Sequence, residues 1–387
     1  MADSTTKIAE AAADNSKAWR AETRATLKLA WPLAAAQIGQ IAINTTDVIM
    51  IGWLGTEALA ASALGTWLFL TLYLFGLGML TPVAGLTAQA LGAGDSRGVR
   101  RTVRQGLWVA VTLAVPFTVM MAQAEYIFAL FRQPPGAAAL AVPYVAILKW
   151  TLLPSLAYVA LRFFVTALGH PRIVMATMMA GVALNALLDY ALIFGEFGAP
   201  ALGLEGAALA TVGVNCAMFA ALAIVAMKAR PFRGYEVFAR IWRSDWQRYL
   251  QILRIGSPSG TGILMEIGLF AAAVYLMGLI GPAEVAAHQI AIQVVAVTFM
   301  VPLGISQAAT VRSGLALGRN DREGIGRAAW VALALGVGFM AMTAILIWAL
   351  PRQIVGLFID VADPANSRVV DLAVQFLWFA AAFQVFD

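Results

Sequence analysis

The chain of 387 residues is 61% hydrophobic and only 12% charged, with a mean hydropathy of +0.80, against about 25% charged residues in soluble domains. One cysteine, Cys216, excludes a disulfide framework and a thiolate metal site, and two histidines, His170 and His288, argue against multi-haem or multi-zinc centres. The net charge of +5 gives no pointer to nucleic acid, because the basic residues gather in loops between long apolar runs.

Residues 1–24 are polar, Ala-rich and charged, which predicts a cytoplasmic tail or surface helix. A cleavable signal is disfavoured, since the first apolar run begins too far in and continues into a full span. Ten apolar segments follow, at 27–54, 59–91, 105–131, 138–168, 173–194, 204–227, 247–280, 285–317, 328–350 and 369–387. Crossing the hydrocarbon takes about 20 apolar residues, and backbone in lipid must bond within its own segment, so these runs predict helices. The alternation of a membrane barrel is absent from them. The expected fold class is therefore an all-α polytopic membrane protein.

The first span carries Gln37, Gln40, Asn44 and Asp47 at spacings of 3, 4 and 3, a single polar stripe that either lines a cavity or bonds to neighbouring helices. Gly76, Gly78 and Gly85 soften the second span, and Pro154 interrupts the fourth, where Lys149 either pairs with a carboxylate or snorkels to the interface. Asn185 and Asp189, spaced i, i+4 on the fifth span, are placed to bind one proton or cation together. Thr211 and Asn215 repeat that spacing on the sixth and are expected to join helices. A basic stretch then leads to the seventh span, which contains Pro258 and Glu266. His288, Gln289 and Gln293 lie along the start of the eighth span, with Pro302 interrupting it further on, and Asp387 is the last residue. Asp47, Asp189, Glu266 and Asp387 are the four acids well inside apolar segments, and an ionised acid there costs about 2.5–3.5 kcal/mol on insertion scales. Each needs a partner, a proton or a wet cavity.

Of the 26 Lys and Arg residues, 22 fall in the tail and in alternate loops, and three on the opposite side. That asymmetry predicts a cytoplasmic N-terminus. An offset of 226 residues overlays the first two spans on the seventh and eighth: Pro32 on Pro258, Gly78 on Gly304, and ALGAGDSRG on ALGRNDREG. The offset covers an even number of spans, so the repeats are parallel. Completing the second repeat requires two further spans. The expected architecture is ten transmembrane helices of a twelve-helix parent, with two six-helix repeats, the second incomplete, in an N-terminal fragment. The boundaries follow: 1–24 tail, 25–228 N-terminal six-helix bundle, 229–246 cytoplasmic linker, and 247–387 a C-terminal bundle ending after four helices. Phosphate-binding and HExxH motifs are absent from the sequence, so an ion gradient is the expected energy source.

The segments LAWPLAAAQIGQIAINTTDVIMIGWLGTEALAASALG, PVAGLTAQALGAGD and MEIGLFAAAVYLMGLIGPAEVAAHQIAIQ resemble the multidrug and toxic compound extrusion (MATE) family, NorM-like branch, as do FGAPALGLEGAALAT and the terminal FQVFD. The resemblance implies an inner-membrane antiporter, not an enzyme, exporting cationic lipophilic compounds in exchange for Na+ or H+. No cofactor beyond the coupling ion, no nucleic acid and no obligate protein partner is implied. Asp47 stands where that family has its N-terminal bundle carboxylate. Asn185 and Asp189 resemble an Asn/Asp pair of proton-coupled relatives. Glu266 and Asp387 stand where the family has cation-site acids, making them expected Na+ ligands. Gln37, Gln40, Asn44, His288, Gln289 and Gln293 are the expected substrate-cavity residues. The family's last two helices, with a further acid, are missing from the match. Two other readings compete: a lipid or lipid-linked oligosaccharide flippase, which would favour a cationic cavity, and an intramembrane enzyme, which would need an interfacial His or acid constellation.

Overall fold

The computed structural model describes residues 2–239, 242, 245–361, 363 and 366–384. Every regular element among them is helical. α1 (Ala2–Gly52) runs without a break from the tail through the first apolar segment. α2 (Thr56–Leu80) and α3 (Pro82–Gly92) share the second, broken at Thr81–Pro82 rather than at a glycine. α4 (Ser96–Ala122), α5 (Ala124–Leu130), α6 (Pro135–Leu148), α7 (Leu152–Ala167), α8 (Pro171–Phe194), α9 (Leu204–Lys228) and the short α10 (Arg230–Arg233) follow. α11 (Trp246–Ile280), α12 (Pro282–Gly318), α13 (Arg322–Ala349), α14 (Pro351–Val355) and α15 (Ser367–Phe383) complete the chain.

Local chemistry explains these limits. Pro82, Pro135, Pro171 and Pro351 open their helices, where a missing N–H costs nothing. Asp95 caps α4 by accepting the Gly98 amide at 2.8 Å, and Gly195 ends α8 in the left-handed region. A 3-10 turn at Lys149–Thr151 separates α6 from α7 immediately before Pro154, whose ring cannot serve the preceding turn. Pro302 does not interrupt its span, contrary to expectation: α12 is continuous through it, since one lost bond is tolerated where neighbouring helices compensate.

Among the described residues, eight helices or helix pairs are long and apolar enough to cross a membrane. Two of the ten sequence segments fall outside that number: α1 is diluted by its polar stripe, and α15 has 17 residues. The chain is a multi-pass membrane protein.

Two compact units emerge from the packing. One comprises Ile38–Leu264 and Gly314–Asp321. Within it α7 is buried on all sides, with 14 of its 16 residues enclosed by α2, α3, α4, α8 and α9. The start of α11 lies against α2 through a Gly-x-x-x-Gly pair, as small residues allow between membrane helices. A Cβ on Gly78 would sit 2.6 Å from the Gly260 Cα, and one on Gly256 would overlap the Met79 carbonyl. The other unit comprises Met1–Gln37, Met265–Ser313 and Arg322–Asp387. Its core joins Ala287, Ile290 and Val294 of α12 to Ala344 and Ile347 of α13 and Val370 and Leu377 of α15. Gly304 of α12 lies so close to α1 that a Cβ would stand 2.7 Å from the Ala34 nitrogen. Glu22 clamps the same pair of helices, accepting bonds of 2.7 and 2.5 Å from Arg312.

Candidate functional site

The parallel course of α1 and α8 creates the site. Gly39 lets α1 approach α8: an added Cβ would lie 2.5 Å from the Met179 side chain. Eight residues further along α1, Asp47 reaches Asn185, and the i, i+4 spacing sets Asn185 under Asp189. The Asn185 side-chain amide donates to Asp47 Oδ1 at 2.6 Å and to Asp189 Oδ2, so one amide bridges two carboxyl groups. Asn185 and Asp189 are both 0% exposed, whereas Asp47 is half-buried. Among the described residues, Asn185 Oδ1 and Asp189 Oδ1 are buried without a hydrogen-bond partner. A buried oxygen left unbonded costs about 1–3 kcal/mol, so this arrangement is held for a reason other than economy of packing. Tyr144 lies within electrostatic reach of both aspartates, its hydroxyl 3.3 Å from Thr66 Oγ1.

The remaining expected residues are not gathered here. Gln37 and Gln40 are half-buried and Asn44 is exposed. Glu266 is exposed on α11. His288 stacks edge-on to Phe376 at 6.3 Å, with Nε2 buried and lacking a partner among the described residues. Gln289 and Gln293 are exposed, and Asp387 lies outside the described residues. Among the described residues Thr211 and Asn215 bond within their own helix rather than across helices, each donating to one of its carbonyls, at 3.0 and 2.9 Å. Lys149 stands 5.6 Å over the Trp150 ring.

Sequence reasoning missed a second polar node. Gln384 of the FQVFD segment donates to Thr343 Oγ1 at 3.1 Å and to the Met340 carbonyl at 3.3 Å, and accepts from Thr298 at 3.3 Å. It thereby ties α12, α13 and α15. The signal in the sequence is a carboxamide within an apolar run, three residues before an acid. The docking of residues 229–239 was also unforeseen: Phe232 is fully buried, edge-on to Phe164, and Arg104 donates to the Ala239 carbonyl.

The MatE family model matches residues 32–191 and 258–387. A probable multidrug resistance protein NorM of Mesorhizobium japonicum is 44% identical over 371 residues, covering 95% of this chain and 79% of that one. One from Rhizobium meliloti is 42% identical over 388 residues, covering 100% and 82%. Among solved structures, a MOP superfamily transporter from Pyrococcus furiosus superposes with a TM-score of 0.83 at 22% identity, over 94% of this chain and 79% of that one. A eukaryotic MATE transporter superposes at 0.81 with 18% identity, over 95% and 81%.

Proposed function

This chain belongs to the MatE family, and from that premise we propose that it is a secondary active antiporter exporting cationic, lipophilic compounds in exchange for H+ or Na+. The family consists of transporters, not enzymes. The observation that carries the reading is the pair of carboxyl groups bridged by Asn185 inside apolar helices. Two adjacent negative charges at low dielectric demand a counter-charge. The Asn185 nitrogen occupies the point between the two carboxyls where a bare cation would sit, which favours a proton on the carboxyl oxygens as the ion of this site. Half-buried Asp47 is the entry group and enclosed Asp189 the store. A cationic substrate drawn toward Asp47 is weakened when the proton arrives, and coupling follows if the two facing states bind the pair of ligands differently.

In this reading the ten apolar segments form an N-terminal bundle over 25–228 and a C-terminal one over 247–387, in an inner membrane with the N-terminus cytoplasmic. Glu266 and Asp387 are retained as the residues to test for Na+, and the stripe from Gln37 to Asn44, with His288, Gln289 and Gln293, as those to test for substrate. A flippase for lipid or lipid-linked oligosaccharide would require a cationic cavity, and the acidic character of the Asp47–Asp189 site opposes it. The test is efflux of a fluorescent lipophilic cation from vesicles under separate pH and Na+ gradients. Asp47→Asn and Glu266→Gln are each expected to reduce export. Unchanged efflux in both variants would sink the assignment, and acceleration by one gradient alone identifies the ion.

A further inference from the structure

Three arginines on one stretch of α4 have different fates. Arg100 pairs with Glu236 at 3.3 Å, and Arg104 is buried against the Ala239 carbonyl, so both hold residues 229–239 in place. Arg101, with its side chain 53% exposed, faces α11 instead, and its contact with Asp245 is a loose 3.6 Å. There Arg101, Asp245, Gln247, Arg248 and Gln251 line a cavity of about 390 Å3. Asp245 caps α11 by accepting the Arg248 amide at 3.2 Å, and the Arg248 side chain donates to Gln251 at 3.0 Å. Among the described residues the cavity thus holds two guanidinium groups, two carboxamides and one carboxylate, a net charge of one positive.

The surroundings are those of a membrane interface. On α4, Trp108, Val111, Val115 and Val119 form an exposed apolar stripe at spacings of 3, 4 and 4, leading away from Arg101. On α11, Trp246 and Leu250 are exposed beside the cavity, and Trp242 just before it. Tryptophans at this level match the aromatic belt of membrane proteins. Deeper in, the Thr112 and Tyr249 hydroxyls meet at 2.9 Å and close the floor between the two helices. A cationic cavity between α4 and α11 thus lies at the head of an exposed apolar stripe on α4.

We propose that this cavity between α4 and α11 binds one anionic phospholipid, its phosphodiester on Arg101 and Arg248 and its acyl chains along the Trp108–Val119 stripe. Charge decides the class. A single phosphodiester headgroup without a compensating amine neutralises the excess of one, whereas a zwitterionic lipid leaves it. Gln247 and Gln251 supply donors for the headgroup oxygens, and basic pockets between membrane helices bind anionic headgroups in this manner.

The test is native mass spectrometry of the full chain in detergent, titrated with phosphatidylglycerol, phosphatidylcholine of the same acyl chains, or inorganic phosphate. Each basic side chain near an anionic headgroup is worth about fivefold in binding. Phosphatidylglycerol is expected to bind in preference to phosphatidylcholine, and Arg101→Gln with Arg248→Gln to weaken it by about 25-fold. Asp245→Asn keeps a capping side chain while removing the opposing charge, and is expected to tighten phosphatidylglycerol about fivefold, a gain that misfolding cannot mimic. Equal binding of the two lipids, an unchanged double variant, or displacement by inorganic phosphate at equal concentration overturns the proposal.

Discussion

Replacing Asn185 by leucine removes both donors that the Asp47 and Asp189 carboxyl groups share while nearly preserving volume. A hydrogen bond to a charged group contributes about 1.5–3 kcal/mol, and with one proton shared by the pair only one carboxyl is charged, so the two bonds together represent about 2–4 kcal/mol. In a background carrying Asp47→Asn and Asp189→Asn, the same amide meets only neutral partners. Hydrogen bonds between neutral groups in membrane helices average about 0.6 kcal/mol, or about 1.2 kcal/mol for two. The double-mutant cycle is therefore expected to show a coupling of about 1–2 kcal/mol. The assay is loss of helical circular dichroism as the purified protein is titrated from mild detergent into dodecyl sulfate, for all four combinations. An identical cost of Asn185→Leu in both backgrounds would mean that charge does not hold the amide, and the argument for an ion at this site would fall with it.

Three further outcomes use the same unfolding measurement or limited proteolysis. Gly256→Val drives a side chain into the Met79 carbonyl and is expected to cost about 1–3 kcal/mol, whereas Gly262→Ala, with open space around it, is expected to be neutral or stabilising. Phe232→Ala empties a fully buried ring site, at about 3–5 kcal/mol, and should expose the Arg233–Gly234 bond to trypsin; unchanged cleavage would contradict the docking of this segment. Glu22→Gln weakens a two-point bond to a partly exposed arginine and is expected to cost about 1–3 kcal/mol. The loss should disappear in an Arg312→Met background, and persistence there would show that the pair is incidental.

Periodicity located much of this molecule. The spacing of Gln37, Gln40, Asn44 and Asp47 marks one face of a helix, and the i, i+4 pair at Asn185 and Asp189 marks another, because both follow from 3.6 residues per turn. Which faces meet is another matter. Nothing in the sequence pattern distinguishes Asp47, which finds a partner, from Glu266, which is exposed, since that depends on Gly39 opening a path for α1 beside α8. The same limit hid Gln384, whose bonds reach 41 and 86 residues away to Thr343 and Thr298. Prolines were legible only in part. Pro154 sits behind a 3-10 turn, while Pro302 leaves α12 straight through, and the difference lies in what surrounds each turn rather than in the residue.

The close approach of Gly78 to Gly260 has a counterpart in that of Gly304 to Ala34. Under the 226-residue offset, 78 becomes 304 and 34 becomes 260, so the two contacts exchange partners. That reciprocity is the rule of a self-complementary surface between identical subunits, where residue i of one meets j of the other and j meets i. If the two segments are the repeats that the offset proposes, a polypeptide carrying one of them would display both halves of its own mating surface. Two such chains could pair through it without any covalent link, and the basic stretch between the proposed repeats would act as a tether that raises local concentration rather than as the source of the fit.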